Sequence, residues 1–186
     1  MIVINNFLTP EIITMVDDIK KNLNSKEKKM LGWTNAIWDE GLYKSSALTF
    51  VVPVPELDNY LQPLFEKADP IFKNARIDTQ FCLWGKGSTI PFHNDSHVAF
   101  AATVYLNEKW DVEDGGLFLW RDSNTNELLV VSPEYNVCVI NNLQELHHVS
   151  VVSYGAKQFR TTLQIWAHVK DDTKDVPTDT NTFIYE

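Results

Sequence analysis

From Arg76 onward the chain changes period: Ile77, Thr79, Phe81 and Leu83 alternate with Asp78, Gln80, Cys82 and Trp84. That is the pattern of a strand with two unlike faces. Short apolar runs then recur at 99–106, 116–120, 128–131, 137–140, 149–152 and 159–169, with polar turns between them. Many short strands spaced in this way predict an all-β sandwich or barrel.

The first 75 residues follow a different rule. Met1 to Ile4 forms a short apolar run that suits a strand, and Thr9 before Pro10 is a helix start, followed by Ile12, Met15, Val16, Ile19 and Leu23 at helical spacing. A second helical stretch is expected over about 57–74, with Pro63 and Pro70 dividing it into two pieces. At 186 residues the chain reads as one domain. Residues 1–75 would give helical support and a substrate loop, 76–170 the β-core, and 171–186 a polar tail in which Phe183, Ile184 and Tyr185 could pack back.

With 44% hydrophobic and 22% charged residues the composition is that of an ordinary globular protein. The formal charge of -9, with no cluster of Lys and Arg, argues against a nucleic-acid partner. Cys82 and Cys138 lie in apolar, strand-like runs without metal-ligand spacing, so two buried thiols are expected, and with them a reducing compartment. The apolar start is too short for a signal peptide and no run reaches membrane-spanning length, so a cytoplasmic location is expected. Oligomeric state is left open.

The chemistry is carried by scattered residues. Side chains two apart on an extended strand share a side, so His93 and Asp95 can grip one ion together. His147 would complete two imidazoles and a carboxylate, a set that leaves positions open on an octahedral Fe(II). Its neighbour His148 would face the other way, and His97 and His168 are weaker rivals. Arg160, on the last strong strand, offers a fork of donors for a carboxylate, and Thr162 shares its face.

The order of these words resembles the prolyl 4-hydroxylase-like branch of the Fe(II)/2-oxoglutarate-dependent oxygenases. That family's lead-in, Tyr-x-x-Gly-x-x-Tyr-x-x-His-x-Asp, is matched by the run from Trp84 through Gly87, Ile90 and His93 to Asp95, with both tyrosines replaced. Tyr105-Leu106-Asn107, Trp110 and the Gly115-Gly116 hairpin follow, then His147-His148-Val149 and the run from Arg160 to Trp166. The resemblance spans residues 76 to 170.

It implies a mainly β (α+β) fold, a double-stranded β-helix or jelly roll with supporting N-terminal helices. It also implies Fe(II) held by His93, Asp95 and His147, with 2-oxoglutarate and O2 as cosubstrates and ascorbate as a stimulant. Arg160, Thr162 and Tyr105 would hold the distal carboxylate. Trp84 and Trp166 would line the pocket, and an aromatic loop over 32–46 that includes Trp38 and Tyr43 would close over substrate. The implied reaction is hydroxylation of a C–H bond, with a prolyl residue of a peptide or protein favoured. A free amino acid or other small molecule is the alternative within the class, and a non-catalytic jelly-roll binding module the alternative outside it.

Overall fold

The computed structural model describes residues 1–25, 34–37, 46–95 and 98–169. Among these, the strands are β1 (Ile2–Ile4), β2 (Thr34–Ile37), β3 (Ser46–Pro53), β4 (Ala75–Trp84), β5 (Ile90–His93), β6 (Phe100–Tyr105), β7 (Phe118–Arg121), β8 (Leu128–Val131), β9 (Cys138–Asn141), β10 (His147–Val149) and β11 (Arg160–Val169). They form two antiparallel sheets, one ordered β1-β9-β6-β11-β4-β3-β2 and the other β5-β10-β7-β8. From β4 onward the chain keeps crossing between sheets, so β11 ends up between β6 and β4, and β10 between β5 and β7. This interleaving is the double-stranded β-helix. It brings segments far apart in sequence onto adjacent strands.

Alternation along β11 divides the interior in two. Leu163, Ile165 and Ala167 turn to one side, where they join Phe81, Val104 and Ile140 in a core covered by α1 (Pro10–Ser25) and α2 (Asp58–Ala68) through Ile12, Val16, Leu61 and Phe65. Each such side chain taken from water contributes about 1.5–3 kcal/mol. Arg160 and Thr162 turn to the other side, toward the smaller sheet. There Tyr105 and Val139 pack with Phe118, Trp120 and Val149. The helices therefore stabilise the larger sheet from outside and leave the space between the sheets for other uses.

Three sequence expectations change. The second helical stretch does break into two, but at Asp69, whose side chain accepts from the Ile71 N–H as a 3-10 turn (Pro70–Asn74) begins. Pro63 sits inside α2. β1 is the short strand expected at the start of the chain, but the rest of the first 75 residues is not helical support alone, because β2 and β3 also extend the larger sheet, with β3 pairing along β4 from Thr49↔Trp84 to Pro53↔Gln80. Within the proposed loop at 32–46, Thr34–Ile37 pairs with the start of β3 as a strand. Trp38, Tyr43, His97 and the tail 171–186 lie outside the described residues. Cys82 and Cys138 are buried free thiols, as expected. No helix among the described residues is long and apolar enough to cross a membrane.

Candidate active site

His93 ends β5 and His147 begins β10, and the two are direct partners in the ladder between those strands. Their rings stand 4.1 Å apart, and the His147 ring stacks on Phe118 at 5.1 Å. Asp95, just past the end of β5, reaches back to both. Its Oδ1 lies 3.6 Å from His93 Nε2 and its Oδ2 lies 3.3 Å from His147 Nε2. The ligand atoms of His93, Asp95 and His147 all fall within 4.8 Å of one another.

Backbone carbonyls fix both imidazoles. Pro91 O lies 2.8 Å from His93 Nδ1, and Glu145 O lies 2.9 Å from His147 Nδ1. A carbonyl oxygen only accepts, so a proton on Nδ1 would meet it and turn the lone pair of Nε2 inward. Asn141 reinforces the second case. Its Oδ1 accepts from the Glu145 N–H at 2.8 Å and its Nδ2 donates to the Glu145 carbonyl at 3.1 Å, which fixes the turn that presents His147. Burial is the largest influence on the His147 pKa and pushes it below the ordinary histidine value, against the upward pull of Asp95. His147 is therefore neutral and ready to donate a lone pair. Two lone pairs and a carboxylate converging on one point repel until a cation lies among them, and this donor set fits Fe(II).

The other end of the space between the sheets is built around Arg160, which is 0% exposed. Its Nε donates to Gly116 O at 2.9 Å, while both terminal amino groups have no hydrogen-bond partner among the described residues. The guanidinium carbon sits 5.3 Å from the Trp84 ring centroid and 5.2 Å from that of Tyr105. Burial lowers the Arg160 pKa, yet guanidinium does not give up its proton in proteins, so a charge remains with half its fork unmatched. The Tyr105 hydroxyl is buried beside this guanidinium with no partner at hydrogen-bond geometry, and burial pushes its pKa up to about 12, against the pull of the Arg160 charge and donors. Such a floor fits a carboxylate.

The Gly-Gly hairpin is explained here. A Cβ on Gly116, at φ +61, would sit 2.6 Å from Arg160 Cδ, and one on Gly115, at φ +70, would sit 2.1 Å from Val151 O. Both positions need glycine for conformation as well as for space. Gly116 gives way to the arginine stem and then accepts from its Nε.

The structure thus gathers His93, Asp95 and His147 at one end, and Arg160, Thr162, Tyr105 and Trp84 at the other. Trp166 lies on the Arg160 face, three side chains further along, paired with Ala101, which in turn pairs with Asn141 beside His147. His148 turns away from the triad to stack on Phe92 at 5.2 Å. His168 meets Asp78 at 3.2 Å near the far end of β11. Asn141, Glu145 and Gln164 were missed in the sequence. The one available signal was a polar Asn141 closing the apolar run 137–140.

Comparison with known proteins agrees with this geometry. Residues 79–168 match the model of the 2OG-Fe(II) oxygenase superfamily. No curated protein matches the chain by sequence. Among solved structures, a prolyl-4-hydroxylase of Pseudomonas putida superposes with a TM-score of 0.67 at 15% identity, over 91% of this chain and 92% of that one. A prolyl hydroxylase from Trichoplax adhaerens, solved with a hypoxia inducible factor oxygen degradation domain peptide fragment, gives 0.67 at 16% identity over 90% and 83%. SnoN, a non-heme alpha ketoglutarate dependent epimerase of nogalamycin biosynthesis, gives 0.62 at 12% over 90% and 78%. At these identities the superpositions speak to the fold. The family match falls on the strands that carry both ends of the site, so it is the β-core over 79–168 that is similar to the 2OG-Fe(II) oxygenase superfamily.

Proposed function

We propose that this protein is an Fe(II)- and 2-oxoglutarate-dependent dioxygenase that hydroxylates a C–H bond, with a prolyl residue in a peptide or protein as the favoured substrate. The observation that carries the reading is the buried, half-unmatched Arg160 guanidinium set in the same intersheet space as the His93, Asp95 and His147 cluster. A protein with no anionic ligand gains nothing from an unpaired buried cation. His93, Asp95 and His147 would hold Fe(II), and Arg160, Tyr105 and Thr162 would hold the distal carboxylate of 2-oxoglutarate. When bound, these groups supply the oxidising chemistry, in which O2 is divided between the cosubstrate, released as succinate and CO2, and the substrate C–H bond. The chain itself orients the imidazoles through Pro91, Glu145 and Asn141, and shields the site through Phe118, Trp120 and Trp84. No side chain is required to act as general acid or base.

The prolyl preference rests on the hydroxylase-like order of motifs and on the two hydroxylases among the superposed structures. Replacement of both lead-in tyrosines by Trp84 and Ile90, with an epimerase among the neighbours, favours a free small molecule as the second reading. Succinate release from 2-oxoglutarate with Fe(II) and ascorbate tests the class, and it should vanish in Asp95→Ala. A panel of proline peptides set beside free amino acids tests the substrate. Stimulation by a peptide with a gain of one oxygen supports the first reading, and stimulation by an amino acid alone replaces it with the second.

A further inference from the structure

Trp84 occupies the place where the resemblance has tyrosine, and its side chain touches two of the groups assigned to the distal carboxylate. It pairs with Arg160 in the β4–β11 register, its ring lies 5.3 Å from the guanidinium carbon, and its Nε1–H donates to Thr162 Oγ1 at 3.0 Å. Indole nitrogen is a donor only, so the threonine hydroxyl must accept from it. A second donor completes the constraint. Gln164 Nε2 donates to the same oxygen at 3.3 Å, in an amide placement where Thr103 Oγ1 donates to Gln164 Oε1 at 2.9 Å.

A hydroxyl has two lone pairs and one proton. With both lone pairs taken, Thr162 has only its proton left for a ligand. Arg160 has only donors, and Tyr105 keeps its hydroxyl proton throughout the neutral range because its pKa lies near about 12. Arg160 and Thr162 therefore present only hydrogen, while the neutral Tyr105 hydroxyl can donate or accept.

We infer that Trp84 is a positioning residue for cosubstrate selection: by committing Thr162 to donation, beside the donor-only Arg160, it biases the floor of the pocket toward an ionised carboxylate over the corresponding carboxamide. The inference rests on the 2-oxoglutarate reading. A carboxamide would set its N–H groups against the Arg160 and Thr162 donors and leave them only the Tyr105 oxygen to meet.

The test uses the full chain loaded with Mn(II), which binds without turnover, and titrates it calorimetrically with 2-oxoglutarate and with its ω-amide, 2-oxoglutaramate. Trp84→Phe keeps the ring and loses the N–H. It should weaken 2-oxoglutarate by about tenfold, leave the amide unchanged and narrow the ratio between them by that factor. Thr162→Val should do the same, and Trp84→Phe with Thr162→Val should be no weaker than Thr162→Val alone, because the indole acts through the hydroxyl. Gln164→Leu, which removes the second donor without touching the tryptophan, should narrow the ratio as well. Additive losses in the double variant, or an unchanged ratio in Trp84→Phe or Gln164→Leu, overturn the inference. Undiminished 2-oxoglutarate binding in Arg160→Ala overturns the parent reading and this one with it. Loss of binding there with an unchanged ratio in Trp84→Phe removes the Trp84 role alone.

Discussion

At the start of β11 the two faces are equally buried and opposite in character. Leu163 on one face and Arg160 and Thr162 on the other are all 0% exposed. Leu163 meets apolar neighbours on every side and returns the full benefit of leaving water. Arg160 leaves water with two amino groups unmatched among the described residues, which costs several kcal/mol in any such setting. One face holds the molecule together, and the other is held in place by it. Alternate residues of a single strand thus separate stability from recognition, and mutations on the two faces should separate them too.

The largest effect expected is on the apolar face. Phe81, the ladder partner of Leu163, is 1% exposed, and Phe81→Ala should lower the free energy of unfolding by about 3–5 kcal/mol in a urea titration. The folded fraction should still bind 2-oxoglutarate within about twofold of the wild type, since distant sites behave independently. A cosubstrate affinity that falls along with stability would dissolve the distinction between the faces.

Arg160→Met is the converse. Losing the guanidinium should weaken 2-oxoglutarate binding to the Mn(II)-loaded protein by about 2–5 kcal/mol, the cost of leaving its carboxylate unmatched in a dry site. Without ligand, however, the variant should unfold no more easily than the wild type, because replacing an unmatched buried charge by an apolar chain is neutral or stabilising by about 1–4 kcal/mol. A large drop in unliganded stability would show that Arg160 serves the fold, through its bond to Gly116, more than the ligand.

How much of this was readable beforehand follows the same division. The β-core from 76 was legible because alternation is a property of side chains alone, and the His93–Asp95 pair because its spacing is a property of strands, while His147 and Arg160 were legible through the resemblance in the order of motifs. What was missed depends on pairing. The run from Ser46 to Pro53 becomes β3 only by lying along β4, and its proline punctuation disguised it. The site's supports were hidden for a related reason. The carbonyls of Pro91 and Glu145 that orient the histidines carry no residue-type signature, and the bond from Trp84 to Thr162 exists only in the register that sets β4 beside β11. Gly116 was visible as a motif, but its reason, the stem of Arg160, was not.

A smaller effect is expected at alkaline pH. In the unfolded chain Tyr105 loses its proton near pH 10, whereas in the folded protein burial holds it until about 12. The unfolded state therefore binds fewer protons across that window, and the Tyr105 contribution is complete below pH 10 and lost as pH rises to 12. About two pKa units correspond to roughly 2–3 kcal/mol. By pH 11 about half of this, roughly 1.4 kcal/mol, is lost, and Tyr105→Phe should remove that part, measured as the difference in stability from urea titrations at pH 8 and pH 11. Cys82, also raised to about 12 by burial, titrates in both proteins and cancels in the comparison. Parallel pH curves for the two proteins would mean that the hydroxyl is not confined as it is here.

The smallest effect should come from His148, where the two-face rule is tested on another strand. His147 and His148 are adjacent on β10, so one turns inward to Asp95 and the other outward to Phe92. His148→Ala removes a ring stack at the rim, worth about 0.5–1.5 kcal/mol of stability at most. It leaves the three inward donors untouched, so Mn(II) affinity measured by titration should match the wild type, while His147→Ala in the same assay should lose the metal. Should His148→Ala lose it instead, the inward and outward assignments on β10 would be exchanged, and the carbonyl of Glu145 would be orienting a histidine that binds nothing.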